Sequence, residues 1–226
     1  MYFYMGTWFG VPVHISRGTA LLLILSTISN TLFMANMPWN FLDTFLASIL
    51  WPAGVIGSIL AHEYAHAVAA KIAGYTVESI ELCLAGGSYC WILFPRDFKA
   101  WDAIRIFAAG PATTMIISTA ALVAMMTSLS PPTAPEAPLL ETSPFVWSWF
   151  CIGLYTIFRS LLNFTPFRRS GDVLQIEKIL WQIGWSSWKI HLLRVAFLIA
   201  YLAVLIGTAY GGFHMLLHHW TTLGLL

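Results

Sequence analysis

Two histidines four residues apart, with a glutamate directly after the first, interrupt an apolar run: the stretch Ile59 to Gly74 reads ILAHEYAHAVAAKIAG. On a helix, residues four apart project from one face, so the imidazoles of His62 and His66 can reach a single ion at about 2.0 to 2.1 Å. Glu63 beside them is placed to accept a proton from water held by that ion instead of ligating it. With 7 His and 6 Glu in 226 residues, this pattern arises by chance roughly 0.006 times in a chain of this composition. The competing reading is a pair of histidines hydrogen-bonded between helices with a stray glutamate, but ionisable groups inside a membrane segment are functional by default.

The surroundings are a membrane protein. The chain is 58% hydrophobic, 9% charged and has a mean hydropathy of +0.75, with 11 Trp and 8 Tyr suited to the bilayer interface. The formal net charge of +1 offers no basic surplus for phosphates, so no nucleic-acid partner is expected. Three cysteines do not make a disulfide framework. The expected fold class is an all-α polytopic membrane protein, with about five transmembrane helices in one domain spanning 1–226. Stretches long enough to span lie at about 17–35, 42–73, 103–129, 145–164 and 192–212. The run after Arg17 is read as a retained helix, since no basic region opens the chain.

Five spans sort the eleven Lys and Arg onto one side, whereas Asp43, Glu136, Glu141 and the Pro-rich loop SPPTAPEAPLLETSP fall on the other. The positive-inside rule then puts the N-terminus in the cytoplasm and the C-terminus outside. Two segments on the basic side have their own texture. Thr76 to Phe94 is rich in β-formers around Gly86-Gly87 and reads as a short membrane-associated hairpin; an unpaired strand edge must sit on protein or line a polar cleft. Residues 173–188, with apolar Val173, Ile176, Leu180 and Ile183 and three tryptophans, read as an interfacial helix.

A catalytic zinc site needs a third protein ligand and an open position. His62 and His66 sit near the cytoplasmic end of their helix, and Asp172, in NFTPFRRSGD, follows the fourth helix on the same side. By side alone Glu78, Glu81, Asp97, Asp102 and Glu177 are also available. Asp172 also fits as the N-cap of the helix beginning at Val173. His214 and His218 repeat the four-residue spacing without an intervening glutamate and fall on the far side.

Taken together, HEYAH, Asn163, Pro166 and Asp172 resemble the site-2 protease family of intramembrane zinc metalloproteases. Gly10-Val11-Pro12-Val13 before the first helix, LAGG at Leu84 to Gly87 and Ala109-Gly110-Pro111 are similar to further markers of that family, and the last 50 residues match none. The resemblance implies Zn²⁺ held by His62, His66 and Asp172, with Glu63 as general base. It also implies a transmembrane protein substrate in the lipid bilayer, locally unwound for hydrolysis. Asn163 and Pro166 would then border the substrate cleft. The strand edge near Gly86 and Gly87 suits an extended substrate added as a further strand. The alternative is a non-catalytic member of the same fold that binds a transmembrane partner or a metal; a transporter is disfavoured, because the ionisable groups cluster at one end of the membrane.

Overall fold

A computed structural model describes residues 1–37, 39–83, 87–127, 144–164 and 171–222. Its elements run β1 (Tyr2–Trp8), β2 (Val11–Ser16), α1 (Arg17–Met34), α2 (Phe41–Ile72), β3 (Thr76–Leu82), β4 (Tyr89–Leu93), α3 (Ala100–Thr127), α4 (Pro144–Phe164), α5 (Asp172–Gln182) and α6 (Ser187–Thr222). Five of the helices, all but α5, are long and apolar enough to cross a membrane, as expected. The Pro-rich loop lies outside the described residues except for Pro144, which begins α4.

The helices are bounded by recognisable local chemistry. Ser16 caps α1 by accepting from the Thr19 backbone N–H at 3.1 Å, and Asn40 caps α2 by accepting from that of Asp43 at 2.9 Å. The functional end of α2 closes in a Schellman turn: Gly74, at φ +86°, donates its N–H to Lys71 O, and Tyr75 donates to Ala70 O. Pro52 lies within α2, and the helix continues through it to the histidines.

Apolar side chains of α1 such as Leu21, Leu22, Ile24 and Leu25 face outward, as lipid contact requires. The buried faces between helices carry small and hydroxyl-bearing residues instead: Ala47, Ser48, Thr114, Ser118, Ser148, Thr156 and Ser160. Such residues let helix backbones approach where lipid tails cancel the hydrophobic drive. At Gly54 the approach is so close that a Cβ would stand 2.4 Å from Ile152 Cδ1, which locks α2 against α4. Ser148 Oγ, on α4, donates to Ala47 O of α2 at 2.6 Å.

The expected hairpin is present as β3 and β4, but it belongs to a larger sheet in the order β1-β2-β3-β4. β1 and β2 are antiparallel, β2 and β3 parallel, and β3 and β4 antiparallel. The parallel pair is possible because α1 and α2 together form the crossover between β2 and β3. Val11, Val13 and Ile15 alternate into the core from β2. In β3 a register irregularity between Val77 and Ser79 lets both Val77 and Ile80 turn inward. These side chains pack on Val55, Ile59, Ala67 and Ala70 of α2 and Ile106 of α3, so the sheet braces the turns of α2 that carry the polar cluster. Lys71 ties the β1–β2 turn to the same helix, donating to Phe9 O at 3.0 Å and Gly10 O at 3.3 Å.

The helix expected over 173–188 as an interfacial one is shorter than that span. α5 ends at Gln182 because Gly184, at φ +89°, closes a second Schellman turn, with its N–H on Trp181 O and that of Trp185 on Leu180 O. Trp188 therefore belongs to α6, which starts at Ser187 instead of 192 and runs to Thr222 instead of 212.

Candidate metal centre

His62 and His66 lie on the buried face of α2, at 3% and 4% exposure. Asp172 is the first residue of α5, and Gly171, not Asp172, occupies the N-cap position. The carboxylate is turned onto the two imidazoles. Asp172 Oδ2 stands 3.0 Å from His62 Nε2, Asp172 Oδ1 3.2 Å from His66 Nε2, and the two Nε2 atoms are 3.2 Å apart.

The hydrogen bonds on the far side of each ring assign its tautomer. His66 Nδ1–H donates to the Ile106 carbonyl at 2.6 Å. His62 Nδ1 is 2.7 Å from Thr114 Oγ1, whose own hydroxyl donates to Gly110 O at 3.2 Å, so the Thr114 oxygen accepts from His62. Both Nε2 atoms then present lone pairs to each other and to an aspartate. Three electron-rich atoms aimed at one point repel unless a cation lies among them. Donors bound to a tetrahedral ion at about 2.0 to 2.1 Å stand about 3.3 Å apart, close to the observed 3.0 to 3.2 Å. The donor set and its spacing therefore fit a divalent metal of the zinc type. Among the described residues this is the group of His, Cys, Asp and Glu side chains arranged to hold an ion; Glu78, Glu81, Asp97, Asp102 and Glu177 are not part of it.

Gly110 forms the wall behind the cluster. A Cβ there would stand 2.3 Å from His66 Nε2 and 2.7 Å from His62 Nε2. The Ala-Gly-Pro stretch is thus both a close helix contact and a boundary of the site.

The centre opens into a cavity of about 350 Å³ between α2, α4, α5 and the β4 side of the sheet. Glu63, at 3% exposure, faces it. Arg159 of α4 reaches the same space, with Nη2 3.4 Å from Glu63 Oε1. Phe107, Tyr155, Phe158, Leu162 and Ile92 give the remaining wall a mainly apolar character. β4, at one end of the sheet, contributes Tyr89, Cys90 and Ile92. Burial pushes the Cys90 thiol up to about 12, with the Glu63 and Asp172 carboxylates adding to the shift.

Of the cleft residues expected from sequence, Gly87 lines the cavity at φ +90°. Gly86, Pro166 and the Asn163 side chain lie outside the described residues; Asn163 itself falls in the last turn of α4. His214 is exposed on α6 beside Tyr210, and the His218 side chain is outside the described set. Three participants escaped the sequence reading. Arg159 counted there only as a topological cation, although an arginine inside an apolar span was itself a signal. Thr114 and the Ile106 carbonyl left no local signal, since only the packing of α3 on α2 brings them to the rings.

Fold and site together define a polytopic membrane protein built around a candidate metal centre. The chain is 26% identical over 207 residues to a Synechocystis protein named "Putative zinc metalloprotease sll0528", a match covering 90% of this chain and 51% of that protein. It is 35% identical over 120 residues to "Putative zinc metalloprotease Rip3" of Mycobacterium tuberculosis, covering 50% of this chain and 29% of that one. The chain thus spans about half the length of the first of these relatives and under a third of the second. In fold it is similar to the site-2 protease from Methanocaldococcus jannaschii, with a TM-score of 0.53 at 15% identity, covering 94% of this chain and 91% of that one. No family model matches. In sequence the chain is thus similar to proteins named as putative zinc metalloproteases, and in fold to a site-2 protease.

Proposed function

We propose that this chain is an intramembrane zinc metalloprotease that hydrolyses a peptide bond within or near a transmembrane segment of a membrane-protein substrate. The observation that carries the reading is the convergence of His62 Nε2, His66 Nε2 and the Asp172 carboxylate beside a buried Glu63. Two imidazoles and one carboxylate are a ligand set that catalytic zinc sites use. When bound, Zn²⁺ supplies Lewis acidity that lowers the pKa of water toward 7 and polarises the substrate carbonyl.

The chain's own residues supply the rest. Glu63 takes a proton from the attacking water and returns it to the leaving amine. Its burial beside Arg159 fixes the carboxylate on the cavity side of α2. The Nδ1–H bonds to Thr114 and the Ile106 carbonyl hold both rings in the orientation that ligation requires. Phe107, Phe158 and Leu162 favour apolar side chains next to the cut bond. A helical amide is not open to attack, so the substrate must unwind locally. β4, an end strand on the cavity, offers backbone groups to an unwound segment by strand addition. Asn163 and Pro166, by family resemblance, border that path, as Gly86 does. The basic residues gathered on one side support a cytoplasmic N-terminus and active site, with the C-terminus outside. The single domain is proposed to span 1–226.

The test is co-expression of a membrane-spanning reporter with wild-type chain or with Glu63→Gln. Cleavage by wild type and its loss by at least about 10²-fold in the variant are expected. Undiminished cleavage by Glu63→Gln would remove the enzyme assignment.

A further inference from the structure

Among the described residues lining the cavity, Arg159 is the cation. Its side chain is 15% exposed, and its Nη2 lies 3.4 Å from Glu63 Oε1. A fixed positive charge inside an apolar span is costly and marks function unless a partner fully neutralises it. The contact to Glu63 is longer than the 2.7 to 2.9 Å of a strong charge-assisted bond. A guanidinium also carries five donors in a planar fork, so one long contact to a carboxylate leaves it able to take a second anion.

We propose that Arg159 is a catalytic residue whose guanidinium binds the oxyanion formed on the substrate carbonyl; this rests on the proteolytic reading above. The charges balance through the step. Water loses a proton to Glu63 Oε, its oxygen bonds to the carbonyl carbon, and the carbonyl π pair moves onto oxygen. Glu63 becomes neutral as the substrate oxygen becomes negative, so the anion facing Arg159 passes from the carboxylate to the oxyanion within one cavity. Collapse of the tetrahedral species restores the carbonyl and breaks the C–N bond, and the proton on Glu63 goes to the departing nitrogen. The ionised Glu63 then pairs with Arg159 again. A donor already aimed at developing charge, in a cavity with little water, is where electrostatic stabilisation is largest.

The experiment uses the zinc-loaded full chain in nanodiscs, comparing wild type, Arg159→Met and Arg159→Lys. One arm measures kcat and KM on a membrane-spanning reporter peptide. The other measures affinity for an apolar peptide carrying a phosphinate, a tetrahedral anion, in place of one amide, and for the same peptide carrying a neutral, planar ketomethylene group. Arg159→Met is expected to lower kcat by about 10² to 10³-fold with KM within about threefold. It should weaken the phosphinate by a similar factor and leave the ketomethylene peptide and the bound zinc unchanged. Arg159→Lys, which retains the charge, should recover part of both losses and serves as the readout if the methionine variant misfolds. Phosphinate affinity preserved in Arg159→Met, or equal weakening of both peptides in either variant, would overturn the assignment. A wild type that cuts no membrane-spanning reporter sinks the proteolytic reading instead, and the affinity ratio still decides whether Arg159 selects the tetrahedral anion.

Discussion

The α-carbon of Gly110 faces the imidazole of His66 with no room for a methyl group, since a Cβ would stand 2.3 Å from Nε2 and 2.5 Å from Cε1. The glycine is needed for space, as α3 lies directly against both rings. Gly110→Ala should displace the histidines and uncouple them from Asp172. A misplacement near 1 Å at reacting groups costs about 10²-fold in rate. Reporter cleavage should fall at least that far and metal content should drop, with the helical circular dichroism spectrum retained. A variant that keeps its metal and its rate would show that the rings can move aside.

Thr114 holds His62 from behind through the 2.7 Å contact to Nδ1. Thr114→Val keeps the shape and removes the acceptor, leaving a buried N–H without a partner. Loss of such an orienting bond lowers metal affinity by about 10- to 100-fold. Competition against a chromophoric chelator measures this, and Thr114→Ser should stay near wild type. Equal affinity in the valine variant would show that ring orientation is set elsewhere.

Much of this centre was legible in the chain. The four-residue spacing of HEYAH placed His62 and His66 on one face with Glu63 beside them, because helical periodicity is local. Topology alone left Asp172 as one of several carboxylates expected on one side, and only the resemblance of NFTPFRRSGD to a family motif singled it out. The cap reading of Asp172 failed for a non-local reason: its carboxylate is drawn to the rings of α2 while Gly171 takes the N-cap position. The alternation of Val11, Val13 and Ile15 was visible, but its strand identity depends on β3, more than sixty residues away. The end of α5 was written at Gly184, and a reading guided by apolar periodicity runs past it. The Thr114 and Ile106 partners come only from helix packing.

Cys90 gives the cavity a chemical reporter. Burial pushes its thiol up to about 12, with Glu63 and Asp172 adding to the shift, so the reactive thiolate is scarce at neutral pH. In the metal-free chain carrying Cys83→Ser and Cys151→Ser, the rate of maleimide labelling should be very low at pH 7. It should rise about tenfold per pH unit through pH 10. Fast labelling at pH 7 with a plateau by pH 9 would contradict the buried environment.

Lys71 joins the β1–β2 turn to the end of α2 through Phe9 O and Gly10 O. Lys71→Met should cost about 1 kcal/mol at most, since these bonds are exposed. It should speed amide exchange across the β1–β2 turn while metal content is unchanged. Loss of metal in this variant would mean that the sheet sets the ligand geometry more tightly than its distance from the rings implies.

His62, His66 and Asp172 are proposed to hold one ion together. The most direct measurement of this is the zinc content of the purified full chain across single substitutions. One zinc per chain is expected in wild type and in Glu63→Gln, and close to none in His62→Ala, His66→Ala or Asp172→Ala. Full zinc occupancy in Asp172→Ala, alongside its loss in His62→Ala, would contradict the account and place the third ligand on another residue.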